Sequence, residues 1–303
     1  MSTLFGELRS HIKIDYSLEP RTAFVIRAGG DSPDPTAPDN PFVRISTPYG
    51  YSIYVPGSSM KGVFRSHIEG ILKAMSKDVC GFSHKRGADC GKKKIEKEIK
   101  MIFLESEDDG LQRYQNSCYS CKMFGSTAVG SIVKFDDLFP YRPEDTPEEK
   151  MKAVTEIEKY LNIRHGIKID RKSGSVAGGA LYDIECLSGG KFFGSIFLKN
   201  PERWQLALLF KTFTHINHGY QKAGGQKSRG FGHVHLEIEK ISCLSKYRDK
   251  IAFSSLDGNR GFIDDPLSVI KSLDVFPPYS FEFSGEALEK FELDINSTLS
   301  RAW

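Results

Sequence analysis

Residues 11–16, His-Ile-Lys-Ile-Asp-Tyr, alternate polar and apolar side chains, the period of a strand buried on one face. Residues 22–26, Thr-Ala-Phe-Val-Ile, are rich in strand formers and predict a second strand. Val63, Ile68, Ile71, Leu72 and Met75 recur at helical spacing and predict a helix over residues 60–75. Residues 131–135 predict a further strand. Residues 180–187 and 192–198 flank Ser188-Gly-Gly190, which predicts a hairpin. Pro201 opens a helix carried by residues 204–213, and residues 233–241 read as a closing strand. Without its insertions the chain runs strand, helix, strand, strand, helix, strand. That order predicts an α+β fold with a ferredoxin-like, RRM-type βαββαβ core.

Three segments interrupt this core. Residues 29–41 form a polar loop whose prolines, Pro33, Pro35, Pro38 and Pro41, forbid regular structure and limit its freedom. Residues 78–128 are lysine-rich and carry four cysteines. Residues 138–178 combine a charged helix over 147–160 with a basic stretch, Arg164-His-Gly-Ile-Lys-Ile-Asp-Arg171. The core with these insertions occupies residues 1–245. Residues 246–303 read as an appended extension broken by Pro277-Pro278.

Charge divides the chain in the same place. The net charge is +3, yet residues 251–303 carry nine acids against four bases, so residues 1–250 carry +8. A basic body with an acidic tail fits a polyanionic partner and a separate acidic contact surface. No apolar stretch approaches a membrane span, and the first residues lack a signal core, so a cytoplasmic protein is expected. Cysteines seldom form structural disulfides there.

The cysteines therefore suggest metal. Cys118-Tyr-Ser-Cys121, with Cys80 and Cys90 upstream, suits tetrahedral zinc holding together a loop too polar to fold on its own core. His84 is a rival fourth ligand. Cys186 and Cys243, in predicted strands, are expected to be buried.

Two segments suit phosphate. Val55-Pro-Gly-Ser-Ser-Met-Lys-Gly62 offers the hydroxyls of Ser58 and Ser59 at a helix start, followed by Lys61 and Arg65. An ordinary serine N-cap is the plainer account of the same residues. Gly224-Gly-Gln-Lys-Ser-Arg-Gly-Phe-Gly232 sets Lys227, Ser228 and Arg229 among four glycines that let backbone approach a ligand. It has neither Walker A nor dinucleotide-fingerprint spacing. The loop with Asp31, Asp34 and Asp39 could serve a divalent metal or a ribose hydroxyl, but on spacing alone these are ordinary turn residues. His67, His165, His215 and His218 lie in no catalytic motif, and His215 and His218 read as solvent-facing or capping groups.

Taken in order, these motifs resemble the RAMP superfamily, and most closely the backbone subunits of type III CRISPR effector complexes. The resemblance rests on Gly29-Gly30 with Asp39-Asn-Pro-Phe-Val-Arg44, the Val55–Gly62 motif, Cys118-Tyr-Ser-Cys-Lys-Met-Phe-Gly125, Arg164 to Arg171, and Gly225-Gln-Lys-Ser-Arg-Gly-Phe-Gly232. It implies an RRM-like palm with a protruding thumb hairpin, placed at 138–178. It further implies head-to-tail stacking of copies along a CRISPR guide RNA among other effector subunits. By the same resemblance Asp39 is the catalytic aspartate for cleavage of complementary target RNA with Mg2+ or Mn2+, with Asp31 or Asp34 as substitutes. Ser58, Ser59, Lys61, Arg65, Arg164, Lys168, Arg171, Lys227, Ser228 and Arg229 would hold RNA, and zinc-bearing insertions occur in some branches. The proline-rich loop and the acidic extension depart from the family pattern.

Three activities follow as expectations: a metal-dependent endoribonuclease subunit, a non-catalytic scaffold of the same complex, or a guide-RNA processing endoribonuclease. The last normally relies on a histidine acid or base.

Overall fold

The long strand β1 (Ser10–Pro20) organises the chain. Its alternation buries Ile12, Ile14, Tyr16 and Leu18 on one face. In a computed structural model, residues 8–29, 38–80, 90, 109–170, 172–247, 250–253, 262–264 and 278–301 are described. β1 pairs antiparallel with β7 (Phe192–Lys199) on one side and with β8 (Val234–Ser245) on the other, with a bulge at Asp15/Tyr16 against β8. Beyond β7 lies the short β4 (Val133–Phe135), and beyond β8 lies β11 (Tyr279–Phe283), giving the order β11-β8-β1-β7-β4. Two helices, α1 (Gly57–Ala74) and α5 (Arg203–Asn217), join β1 to β4 and β7 to β8. The βαββαβ expectation therefore holds: the structure is a mixed α+β fold on a mainly antiparallel sheet, consistent with an RRM-like core.

Both helices lie on the face to which β1 turns its apolar residues. Met60, Val63, Phe64, Ile68 and Leu72 of α1 recur at i, i+3 and i+4 and are buried there. Phe213 of α5 meets Tyr16 edge-on at 5.5 Å and Phe64 at 5.3 Å between ring centroids. α4 (Pro147–Ile157) begins with a Thr146/Glu149 capping box and Pro147 in its first turn, and a 3₁₀ turn (Glu158–Tyr160) continues it over the predicted span.

Two expectations need correcting. Residues 22–26 form no strand; they run alongside other segments through isolated bridges such as Phe24 with Leu187. Nor do residues 180–187 and 192–198 pair with each other. β6 (Val176–Leu187) pairs instead with β5 (Leu161–Ile169), while β7 enters the main sheet. The glycines between them serve a close approach rather than a hairpin turn. A Cβ on Gly190, which has φ +91°, would stand 2.3 Å from Ile157 Cδ1. The chain thus crosses from one sheet to the other under the end of α4.

The extension beyond residue 245 joins the core, starting with two short strands, β9 (Lys250–Ala252) and β10 (Phe262–Asp264), that pair with each other. β11 covers the outer edge of β8 over residues 241–245, and α6 (Glu286–Arg301) packs on α5. Further along the same edge the Asn217 side chain takes the place of a strand: its Oδ1 accepts the Leu236 N–H at 2.7 Å and its Nδ2 donates to the Leu236 carbonyl at 2.8 Å. Phe291 of α6 stacks on Phe283 at 4.7 Å and meets Phe210 edge-on at 6.3 Å. It is 2% exposed. Phe291→Ala is expected to cost about 3–5 kcal/mol. In urea denaturation the loss should appear in one cooperative transition that includes the main sheet.

Candidate nucleic-acid interface and metal centre

α1 begins one turn earlier than its apolar repeat suggests, at Gly57, and Pro56 rather than a serine is its cap. The first helical N–H, that of Gly57, donates to Asp137 Oδ1 at 2.7 Å, so a carboxylate from the loop after β4 occupies one anion-seeking position. Ser58 is exposed and Ser59 half-buried. Lys61 Nζ donates to Ser131 Oγ at 3.1 Å, and Arg65 pairs with Glu69 at 2.9 Å. Burial and the neighbouring Arg65 together pull the Lys61 ammonium below its ordinary value. Counter-charge from a phosphate would relieve that cost.

The cysteines meet beside this helix. Cys118 caps the short α3 (Tyr119–Phe124), which places Cys121 one turn on; α2 (Asp109–Asn116) precedes them. The sulfurs of Cys80, Cys90, Cys118 and Cys121 all lie within 4.8 Å of one another, and Cys80 and Cys121 approach to 3.3 Å. Tetrahedral zinc with bonds of about 2.3 Å separates its sulfurs by roughly 3.8 Å, so the four thiols are compatible with a structural zinc site. A hydrogen bond from Cys121 pulls Cys118 down to about 5, while burial pushes Cys90 up to about 12. A bound dication would ionise the remaining thiols. His84 lies outside the described residues. Cys186 and Cys243 are buried elsewhere, as expected.

The second grouping stands at the root of the β5–β6 hairpin. Asp39, exposed, accepts the Asp183 N–H on Oδ2 at 2.9 Å, and Oδ1 has no partner among the described residues. Asn40 continues the attachment: its N–H donates to the Asp183 carbonyl at 3.0 Å, and its carbonyl accepts the Glu185 N–H at 3.0 Å. Arg44, on β2 (Arg44–Thr47), then forms a two-pronged pair with Glu185 at 2.8 Å, and Glu185 also accepts the Phe42 N–H at 2.7 Å. β2 turns back into β3 (Gly50–Ile53), which leads to α1.

The glycine-rich loop closes on the hairpin's other face. Gly225 N–H donates to the Val25 carbonyl and Gly232 N–H to the Ala23 carbonyl. A Cβ on Gly232, at φ +86°, would lie 2.2 Å from the Ala223 carbonyl oxygen. Ala23, Val25, Ile184, Cys186 and Phe231 form a small apolar cluster beneath it. Arg229 donates to the Tyr182 hydroxyl at 2.6 Å, and the Arg164 guanidinium lies 4.9 Å from the Phe231 ring centre. Lys227, Ser228 and Arg229 are exposed.

The fold thus brings Asp39, Arg164, Lys227, Ser228 and Arg229 to one hairpin root, and sets Ser58, Ser59, Lys61 and Arg65 along the first half of α1, whose Arg65 lies near Cys80 and Cys121. The Lys168 side chain, Arg171, Asp31 and Asp34 lie outside the described residues. Sequence reasoning missed the His165–Asp183 pair, at 2.6 Å, and the Arg44–Glu185 clamp. The signal was the pairing of Asp170 with Gly174, where Asp170 accepts the N–H groups of Lys172 and Ser173 and Gly174 has φ +66°. Reading it as the hairpin turn would have set the register. His218 is indeed a helix C-cap, whereas His215 Nδ1 meets His67 Nε2 at 2.7 Å.

Two outcomes follow. The purified chain should hold one zinc per molecule, and Cys118→Ser should release it to a colorimetric chelator at least tenfold faster. Glu185→Gln should cost about 1–3 kcal/mol at neutral pH. Burial alone would raise the Glu185 carboxyl, but the Arg44 and Phe42 hydrogen bonds outweigh it and hold it below its ordinary value. Its contribution is therefore full above the ordinary carboxylate range and fades as pH falls through the lowered folded value. Denaturation in acid should show the variant and parent converging.

The RAMP superfamily profile matches residues 18–235, from the end of β1 into β8, and so spans both groupings. None of the curated proteins matches the chain. Among the described residues no helix is long and apolar enough to cross a membrane. A split βαββαβ core, a basic hairpin root and a profile match over well over half the length agree: the chain belongs to the RAMP superfamily and is of the kind that serves as CRISPR-associated RNA-binding subunits.

Proposed function

We propose that this chain is a guide-RNA-binding backbone subunit of a type III CRISPR ribonucleoprotein and that it cuts complementary target RNA through Asp39. The observation that carries this reading is the placement of Asp39 at the root of the hairpin, with exposed Lys227, Ser228 and Arg229 on the adjoining loop. The β5–β6 hairpin, with Ile163, Ile167 and Ile169 more than half exposed, is the thumb that would wedge into the guide–target duplex. Ser58, Ser59, Lys61 and Arg65 hold guide phosphates, and copies stack head-to-tail with other effector subunits in the cytoplasm. Zinc fastens the insertion beside α1.

Asp39 Oδ1, unbonded among the described residues, accepts the proton of a target ribose 2′-OH as that oxygen attacks the neighbouring phosphorus. Among the described residues the cysteines are the only close set of three or more metal-ligating side chains, so a magnesium or manganese ion would be held by Asp39 together with RNA phosphate oxygens. When bound, the ion neutralises charge developing on the phosphate. The products are a 2′,3′-cyclic phosphate and a free 5′-hydroxyl.

The bond from Asp183 N–H to Asp39 Oδ2 favours a second reading, in which Asp39 only ties its loop to the hairpin and the chain is a scaffold. Asp39→Asn separates the two, because its amide oxygen keeps the bond and its charge is gone. In the assembled complex Asp39→Asn should cut guide-complementary RNA at least 100-fold more slowly, with target affinity unchanged. Chelation of divalent metal should also stop cleavage. Wild-type cutting rates in the variant would establish the scaffold.

A further inference from the structure

The backbone of β6 faces away from β5 at Asp183. Its N–H and carbonyl both bond to the 39–40 segment, through Asp39 Oδ2 and the Asn40 N–H. His165 lies directly opposite Asp183 in the hairpin register. With the Asp183 backbone turned outward, the two form the kind of cross-strand pair whose side chains approach most closely. His165 Nδ1 accordingly lies 2.6 Å from Asp183 Oδ1. A carboxylate at Nδ1 keeps the proton on that nitrogen and turns Nε2 outward. The His165 side chain is 66% exposed, and its neighbours along the strand face are the exposed Ile163 and Ile167. Nε2 is therefore left toward solvent, on a face that also carries Ile163, Ile167 and the Arg44–Glu185 pair.

Asp39 lies one strand beyond Asp183 on the far side. Its carboxylate bonds to the Asp183 N–H at 2.9 Å and the His165 ring to the Asp183 carboxylate at 2.6 Å, so the two groups flank a single residue from the two neighbouring segments. Groups that serve the entering and leaving oxygens of one phosphate must stand on opposite sides of phosphorus. With about 3 Å from each group to its oxygen, they lie roughly 9 Å apart. Groups carried by segments on either side of one strand, with roughly 5 Å between neighbouring backbones, can span a phosphate in this way.

We infer that His165, oriented by Asp183, is the proton donor to the 5′-oxygen leaving group in the reaction proposed for Asp39, on which this assignment rests. The 2′-oxygen forms its bond to phosphorus and its proton passes to Asp39 Oδ1. The P–O5′ electron pair leaves with the 5′-oxygen, which takes the Nε2 proton of the imidazolium and leaves a neutral imidazole. Asp183 is a positioning residue that holds the ring and does not touch the RNA.

A target RNA with sulfur in place of the 5′-bridging oxygen tests this, because a thiolate leaves without being protonated. In the assembled complex His165→Gln should slow cleavage of ordinary RNA by roughly 100- to 10,000-fold. It should cut the sulfur substrate within a few-fold of wild type. Asp183→Asn should show a smaller loss with the same rescue, and Asp39→Asn should be slow on both substrates. Equal losses for His165→Gln on both substrates, or no loss on ordinary RNA while Asp39→Asn is inactive, would overturn the role of His165 and leave that of Asp39 standing. Wild-type rates for Asp39→Asn would overturn both.

Discussion

Everything in this protein hangs on the two-sided pairing of β1. An interior strand must satisfy its backbone groups on both edges, and the eleven residues of β1 do so against β7 and β8 almost without interruption. Because its apolar residues all point one way, both crossing helices must lie on that face. Their bulk then fixes where the connections emerge. The one irregularity, the bulge at Asp15/Tyr16, sits in the β8 pairing and leaves the β7 register intact.

The residues assigned to RNA stand outside that sheet, on segments with little apolar surface of their own. What holds them is backbone hydrogen bonding and charge. The 39–44 segment borrows the edge of β6 and is locked by Arg44 on Glu185; the glycine-rich loop borrows the 23–25 segment. Such anchoring places a carboxylate or a guanidinium to within a hydrogen-bond length while leaving its outer atoms free. It also ties the loops to the hairpin, so a displacement of β6 would carry Asp39, Arg229 and His165 together.

How far the sequence disclosed this follows from the range of each signal. The strand period of residues 11–16 and the apolar repeat of α1 are local, and both predicted elements are present. The cysteine spacing carried enough chemistry to bring four sulfurs together on paper, and the structure gathers the same four. Ser188-Gly-Gly190 misled because two glycines suit a hairpin turn and a tight passage beneath Ile157 equally well, and only packing decides between them. The Ser58–Ser59 cap failed because its competitor, Asp137, lies 80 residues away. His165 was invisible as a site residue for a related reason. Its partner Asp183 is set by cross-strand register, which follows only once the turn between Asp170 and Gly174 is read as the hairpin turn.

Asn217 turns one small contact into a rule for crowding. An open strand edge invites any extended peptide to add itself. By answering both the N–H and the carbonyl of Leu236, the Asn217 amide closes β8 at that residue, beyond the part that β11 covers. At the opposite border β4 offers only three residues. At these places any other chain is denied the cheapest route to fusion, sheet growing upon sheet, and a contact there must be made through side chains, where geometry can be chosen and contacts undone.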